Sequence, residues 1–445
     1  MDEKITASEE IITEEKTEAA VEEPAEKQEK KAKKNKSKIR RRLRKVFLGL
    51  LIAIVAFFVI TTVITVVSQN ANVRKAQTFS AVEYEEQLIP EKDENGHWNF
   101  TTDRDFKVLQ LTDVHIGGGL LSKSKDLKAM NAVAAMLHAE KPDLVVITGD
   151  MAYPVPFQAG TFNNAVSTKT LIALLETLGV YYTVTFGNHD GEAYSTHTRE
   201  QIADLWADES LNYSLFQKGP SDLPGYGNHV IKVKNSAGIV TDAFFMLDSH
   251  DYNEDDPMGL LGHYANIKES QVQWYKESVL AIDEANKAVD AAYPMFNSLA
   301  FFHIPLEEYE TAWAEFRANG YKDTASVKYI DGWYHEGDEK VCRGVGTDSF
   351  FETMLELGST SAVFCGHDHV NNAILEYNGI KLVYGMSIDY LAYIDPVLDT
   401  MGPQRGCTVI TLDRKGNTSV KLENYYQDKY PSQYEKEEVE MNWAS

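Results

Sequence analysis

Six short apolar runs punctuate the chain between residues 106 and 365: Phe106–Leu111, Leu144–Thr148, Tyr181–Thr185, Ala243–Leu247, Leu299–Phe302 and Ala362–Cys365. Each is brief, apolar and often β-branched or aromatic, the mark of a buried strand. Between them Leu127–Ala139, Thr168–Leu178 and Ser270–Ala285 read as helices. Alternating strands and helices predict an α/β domain with largely buried sheets. Four later segments, Ala373–Glu376, Ile380–Val383, Thr408–Leu412 and Ser419–Leu422, read as strands without helices between them. They predict a second sheet closing one side. An ordinary apolar content of 43% permits the packed core that this requires.

Five of the early runs end in residues of one chemical kind. They lead into Thr112-Asp113-Val114-His115, Gly149-Asp150, Gly187-Asn188-His189-Asp190, His303, and Gly366-His367-Asp368-His369. In open α/β sheets, loops beyond the carboxyl ends of strands converge their side chains above the sheet. Carboxylate, imidazole and amide oxygen together suit Mn, Fe, Zn or Co. Asp-x-His puts two ligands on one side of an extended chain, and His367 and His369 share that spacing. Each piece has a plainer reading: Asp-x-His is commonplace, and Gly-Asp after a strand is often a helix cap. Five in order form a constellation.

These motifs resemble the calcineurin-like metallophosphoesterase superfamily over residues 106–388. Similarity around Phe244–Ser249, Gln271–Tyr275 and Phe302–Leu306 looks like the branch grouped with purple acid phosphatases. The resemblance implies a four-layer α/β/β/α sandwich with two mixed sheets, and a site for two metal ions, divalent or of mixed Fe, Mn and Zn type. By that resemblance Asp113, His115 and His369 hold one ion, Asn188, His303 and His367 the other, and Asp150 bridges them. Two such ions, about 3.5–4 Å apart, acidify a water for in-line attack on phosphorus. His189 takes the role of donating a proton or hydrogen bond to an oxygen of the substrate, and Asp190 that of orienting it; a helix cap is the other reading of Asp190. One departure is visible. Purple acid phosphatases usually open with Asp-x-Gly and use a tyrosinate from Gly-Asp-x-x-Tyr. Here His115 and Tyr153 occupy both positions, which leaves Tyr153 spare and a purple ferric enzyme doubtful.

Two further residues are candidate substrate contacts. His250 follows another strand-like run, beside Asp248, and Arg343 lies in the polar loop 338–346, where a guanidinium suits phosphate. A solvated or supporting role is the alternative for His250. Trp333-Tyr334 and Tyr390–Tyr393 can line a pocket rim or simply pack. The other histidines, at 97, 138, 197, 229, 263 and 335, read as ordinary surface or core residues.

Ahead of this domain the chain changes character. Residues 1–38 are rich in Glu and Lys with few large apolar side chains, which predicts disorder. An uncharged apolar run from Val46 to Val67 spans roughly 30 Å as a helix, the thickness of a bilayer core. A buried core helix and a cleaved signal peptide are the rivals. No polar face interrupts the run, and its charged leader is long. Basic residues crowd before it (Lys33, Lys34, Arg40–Arg42, Arg44), whereas only Arg74 and Lys75 follow closely. The positive-inside rule then gives a single-pass cell-membrane protein with a cytoplasmic tail (1–45), a signal anchor in the lipid bilayer (46–67), a stalk (68–104), an extracytoplasmic catalytic domain (105–426) and an exposed polar tail (427–445).

The formal net charge of −24 argues against a tightly held nucleic acid, which wants a basic surface. Three cysteines, at 342, 365 and 407, have no zinc-type spacing and form no disulfide framework. The expected activity is hydrolysis of a phosphomonoester. A phosphodiesterase acting on nucleotides, nucleic acid or a lipid headgroup is the alternative, and a membrane-tethered binding protein with an inactive site is a third.

Overall fold

The structure, a computed structural model, describes residues 25–337, 339–393 and 404–439. The first 24 residues of the expected tail, Asp338 and the last six residues lie outside the described residues. Two compact units divide the chain after Phe57.

Helix α1 runs from Ala25 to Ala76 and holds the candidate membrane span, Lys33–Ile64. Disorder was expected as far as residue 38, yet the helix begins at Ala25. Low apolar content forbids a packed core but not a helix. Glu, Lys, Gln and Arg are good helix formers, and Glu29–Lys33 adds an ion pair one turn apart.

In the second unit the strands are β1 (Glu91–Lys92), β2 (Trp98–Thr101), β3 (Phe106–Leu111), β4 (Leu144–Thr148) and β5 (Tyr182–Thr185). Next come β6 (His229–Lys234), β7 (Val240–Met246), β8 (Asn297–Phe301), β9 (Val327–Trp333) and β10 (Thr360–Cys365). The last are β11 (Asn372–Tyr377), β12 (Ile380–Tyr384), β13 (Gly406–Leu412) and β14 (Thr418–Asn424). Their helices are α2 (Lys123–Glu140), α3 (Pro156–Ala159), α4 (Asn164–Leu178), α5 (Arg199–Trp206), α6 (Glu269–Val289), α7 (Glu307–Ala318) and α8 (Phe350–Leu357).

Two mixed sheets result, one ordered β1-β2-β6-β7-β8-β10-β12-β11-β9 and the other β14-β13-β3-β4-β5. The four late segments do not make a sheet of their own: β11 and β12 extend the larger sheet, and β13 and β14 the smaller. β6 and β9 were not anticipated, since charged residues interrupt them (Lys232, Lys328, Asp331).

Side-chain alternation builds the layers. Val108, Leu144 and Val146 of the small sheet meet Phe244, Leu299, Phe301 and Phe364 of the large one in a shared apolar core. Their neighbours face outward. Leu109, Val145 and Ile147 pack on residues of α2 and α4, while Phe245, Ala300 and Val363 pack on α6, α7 and α8. This is the α/β/β/α sandwich.

The stalk and tail expectations need correction. Ala76, Phe79 and Val82 are buried in the core beside α2 and α4, and β2 pairs with β6, so much of 68–104 belongs to the domain. Tyr430, in the expected exposed tail, is fully buried. Thr78 Oγ1 lies 2.7 Å from Tyr434 Oη, Ser80 N donates to Gln433 Oε1 at 3.0 Å, and Gln433 Nε2 donates to the Thr78 carbonyl at 2.9 Å. A clasp therefore joins the two ends of the domain.

Candidate metal centre

β3, β4 and β5 run parallel in one sheet, and β7, β8, β10 and β12 run parallel in the other. Their carboxyl ends meet at one edge of the sandwich, where Thr112 bridges to Ser387 and Gly366 N donates to the His303 carbonyl at 3.1 Å. The predicted ligands gather there. Asp113, His115, Asp150 and His369 form one buried group whose ligand atoms lie within 4.8 Å of one another, and Asp150, His303 and His367 form a second. Asn188 joins the second group, with Oδ1 3.2 Å from His303 Nε2.

Asp150 belongs to both groups. Its Oδ2 makes no hydrogen bond and lies 3.3 Å from His303 Nε2 and 3.6 Å from His115 Nε2. Its Oδ1 accepts from His189 N at 2.8 Å. Both ring nitrogens of His115 and Nε2 of His367 are likewise buried without a hydrogen-bond partner. Buried polar atoms normally find partners. Orphans clustered on carboxylate and imidazole fit a cation as the missing partner, so the donor set suits two metal ions.

The surrounding bonds aim these groups. His303 Nδ1 lies 2.8 Å from the Thr148 carbonyl, which fixes a proton there and turns the Nε2 lone pair toward Asp150. Asp113 Oδ2 accepts from Thr112 and Ser387 hydroxyls, both at 2.9 Å. The backbone is bent to deliver them: Asp113, His115, Asp150 and His367 all have positive φ, between 50° and 76°. Such conformations are uncommon outside glycine and concentrate at functional sites. Gly149, at φ +84°, is required as well, because a Cβ there would strike the His303 ring.

Electrostatics reflect the crowding. Burial opposes charge on His303, but Asp150 and Asp113 outweigh it and raise the imidazole to about 9. His367 is held well below its usual range by burial and by His303 beside it. Tyr153 is raised to about 12 by burial and Asp389, and its ring lies 4.8 Å from those of His115, tilted, and His189, edge-on. The phenol packs as a wall beside His115.

Several predicted roles come out differently. Asp190 does not touch the His189 ring. Its carboxylate accepts from the backbone N–H of Gly187, Asp150, Met151 and Ala152 at 2.8–3.0 Å, tying the β4 and β5 loops together. Glu192 orients the ring instead, with Oε1 2.6 Å from His189 Nδ1. His250 Nε2 is taken up by Gln271 Oε1 at 2.9 Å, and its neighbour Asp248, fully buried, is paired with Arg199 at 2.7 Å. Arg343 donates to Glu310 at 2.6 Å and to the Gly344 and Gly346 carbonyls, so its guanidinium is occupied away from the ligands. Tyr334 stacks on Trp313 in the core and packs. Tyr393 lies over the predicted ligand His369, ring centres 4.0 Å apart. All three cysteines are free thiols.

Besides Glu192, three supporting residues escaped the sequence reading. Asp389, beyond β12, places Oδ2 3.2 Å from His369 Nδ1 and is itself held by three backbone N–H groups of Leu391–Tyr393, each at 2.7 Å. Arg199 grips Asp248 with two nitrogens and donates to the Gly187 carbonyl at 3.0 Å, bracing the loop that carries Asn188. Tyr252 accepts from Asn188 Nδ2 and donates to Glu192 Oε1, both at 3.1 Å.

The chain is similar to several known proteins. The chain is 27% identical to probable inactive purple acid phosphatase 29 of Arabidopsis thaliana, across 74% of this chain and 83% of that one. It is 29% identical to phosphatase DCR2 of Saccharomyces cerevisiae, across 64% of this chain and 48% of that one. A dimetal phosphatase from Danio rerio aligns at 14% identity over 72% of this chain and 97% of that structure, with a TM-score of 0.43. The calcineurin-like phosphoesterase model matches residues 106–371, a stretch that begins at β3 and takes in every ligand position of both buried groups, and the chain belongs to that family.

Proposed function

We infer that this chain hydrolyses phosphate monoesters at a two-metal centre held outside the membrane by an N-terminal anchor. The observation that carries the reading is Asp150: one carboxylate shared by two buried ligand groups, with an oxygen left free between imidazoles of each. Asp113, His115 and His369 would hold one ion and Asn188, His303 and His367 the other. Such a pair supplies charge compensation for the phosphoryl oxygens and lowers the pKa of water.

The chain's own residues do the rest. His189, at the mouth beside His115 and Tyr153, is held through Nδ1 by Glu192, so Nε2 is the nitrogen that carries a proton to the leaving-group oxygen as the P–O bond breaks. Buried Asp113 and Asp150, fixed by Thr112, Ser387 and the His189 N–H, keep the ligand set from moving during that step.

For the anchor, Lys33–Ile64 is long and apolar enough to cross a membrane, and the basic residues on its N-terminal side favour a cytoplasmic N-terminus. The segment from Thr78 to residue 439 is then extracytoplasmic.

Three Arabidopsis relatives carry "probable inactive" in their names, which makes an idle site the specific rival. The complete ligand set here favours activity. The test is metal analysis of the full chain in proteoliposomes, with turnover of an aryl monophosphate and a bis-aryl phosphate. Near two ions per chain, monoester preference and loss of turnover in Asp150→Ala are expected. A diester preference overturns the monoester assignment, and no turnover at full metal loading overturns the enzyme. Protease added to intact cells should digest the domain if the topology is right.

A further inference from the structure

One side chain touches both halves of the proposed chemistry. The Tyr252 hydroxyl accepts from Asn188 Nδ2 and donates to Glu192 Oε1, each at 3.1 Å, and the same Oε1 lies 2.6 Å from His189 Nδ1. A phenol has one proton to give. With that proton on Glu192, every bond in the series has a fixed direction: Asn188 donates to Tyr252, while Tyr252 and His189 both donate to Glu192. The Asn188 amide is thereby oriented too. Its nitrogen is committed to the phenol, which leaves Oδ1 on the ligand side, 3.2 Å from His303 Nε2.

The phenol is itself held from several sides. Tyr252 and Tyr264 form an isolated antiparallel bridge, and their rings stack with centres 5.6 Å apart. Asn253 N donates to the His263 carbonyl at 2.8 Å and Ala265 N to the Asp251 carbonyl at 3.0 Å, closing the loop at its base. Gly259, at φ +64°, brings the far side of that loop so near the Tyr252 ring that a Cβ there would strike it. Tyr264 in turn stands edge-on to His367, ring centres 4.3 Å apart. The loop therefore leans on Asn188 and His367, two of the three residues proposed for one ion.

The geometry points to Tyr252 as a positioning residue that sets a metal-ligand amide and the proton donor with one hydroxyl. Without that hydroxyl the amide is free to turn its nitrogen toward the cation, and Glu192 loses the bond that keeps Oε1 beside the imidazole. Hydrogen bonds in series reinforce one another, so a break in the middle is felt at both ends. Glu192 reaches the donor alone and Asp389 a ligand alone; Tyr252 reaches both. This rests on the metal-centre and phosphoesterase readings given above, and it adds the residue that links them.

Tyr252→Phe in the full chain in proteoliposomes is the test, because it keeps the ring and its stack. Calorimetric metal titration should show one ion held about tenfold or more weakly and the other unchanged. At saturating metal, kcat should fall about tenfold or more for benzyl phosphate, whose leaving oxygen needs a proton. It should stay within about threefold for para-nitrophenyl phosphate, which departs without one. Gly259→Ala, which pushes the phenol aside and alters no polar group, should give the same pair of changes. Two unchanged metal affinities, or an equal loss on both esters, overturns the inference. If the wild type with both ions bound turns over neither ester, the phosphoesterase reading fails, and the titration still decides whether Tyr252 holds the ligand.

Discussion

Glu192 Oε1 stands 2.6 Å from His189 Nδ1, and the same oxygen accepts from Tyr252 Oη at 3.1 Å. The imidazole proposed to meet the substrate is thus steered by a carboxylate three residues on, which is steered in turn by a phenol bonded to a metal-ligand candidate. Burial disfavours charge on His189, but Asp150 and Glu192 outweigh it and raise its pKa. Glu192→Gln keeps the shape and removes the charge. It should lower kcat by about one to two orders of magnitude, the range for losing an orienting partner, with KM and metal content nearly unchanged. Steady-state kinetics with parallel metal analysis checks this.

Asp389 makes a different prediction, because it acts on a ligand. Asp389→Asn weakens the hold on His369 Nδ1 and should reduce affinity for one of the two ions by about 10- to 100-fold. Competitive chelation would show one weakened and one unchanged site.

Arg199, partly exposed, grips the fully buried Asp248 with two-pronged geometry. Arg199→Leu strands the Asp248 carboxylate and should cost about 3–5 kcal/mol in urea unfolding. Arg199→Leu combined with Asp248→Leu should recover much of that, since the unpaired charge is the main penalty.

A histidine remote from the metal centre yields a pH prediction. His229 is buried at the start of β6, with Nδ1 2.8 Å from the Gly227 carbonyl and Nε2 2.7 Å from the Thr183 hydroxyl. Burial pushes its pKa down to about 4. The unfolded chain, at about 6.5, binds the proton more readily, so stability falls as pH drops from 6.5 toward 4, by up to on the order of 3 kcal/mol. His229→Gln should be less stable at pH 8 yet lose less between pH 7 and 5, as read from thermal melts across pH.

Much of this was legible because strand ends carry their own labels. β3 and β4 fell on their expected residues, since a short apolar run closed by Asp leaves little freedom. All seven proposed ligand residues converge for the same reason. Asp389 was missed because Ile380–Val383 read as part of a separate closing sheet; the strand lies in the larger sheet parallel to β10, and a parallel strand's far end points at the site. Glu192 was missed because its reach depends on the single 3-10 turn His189–Gly191, which brings residue 192 back beneath the ring. Asp190, next door in sequence, looked the better partner until that turn aimed it at the backbone. The clasped C-terminal segment was hidden by its polar composition, in which a few tyrosines do the packing.

That clasp has a mechanical consequence. A pull at the C-terminal end of α1 is shared by the bonds that Gln433 and Tyr434 make to Thr78 and Ser80, with Lys75 3.8 Å above the Tyr434 ring. The load is divided between the segments at 78–80 and 433–434, which flank the domain's sheets. Drag on the domain from outside therefore strains a replaceable buckle, and Asp113, one loop beyond β3, is spared the pull.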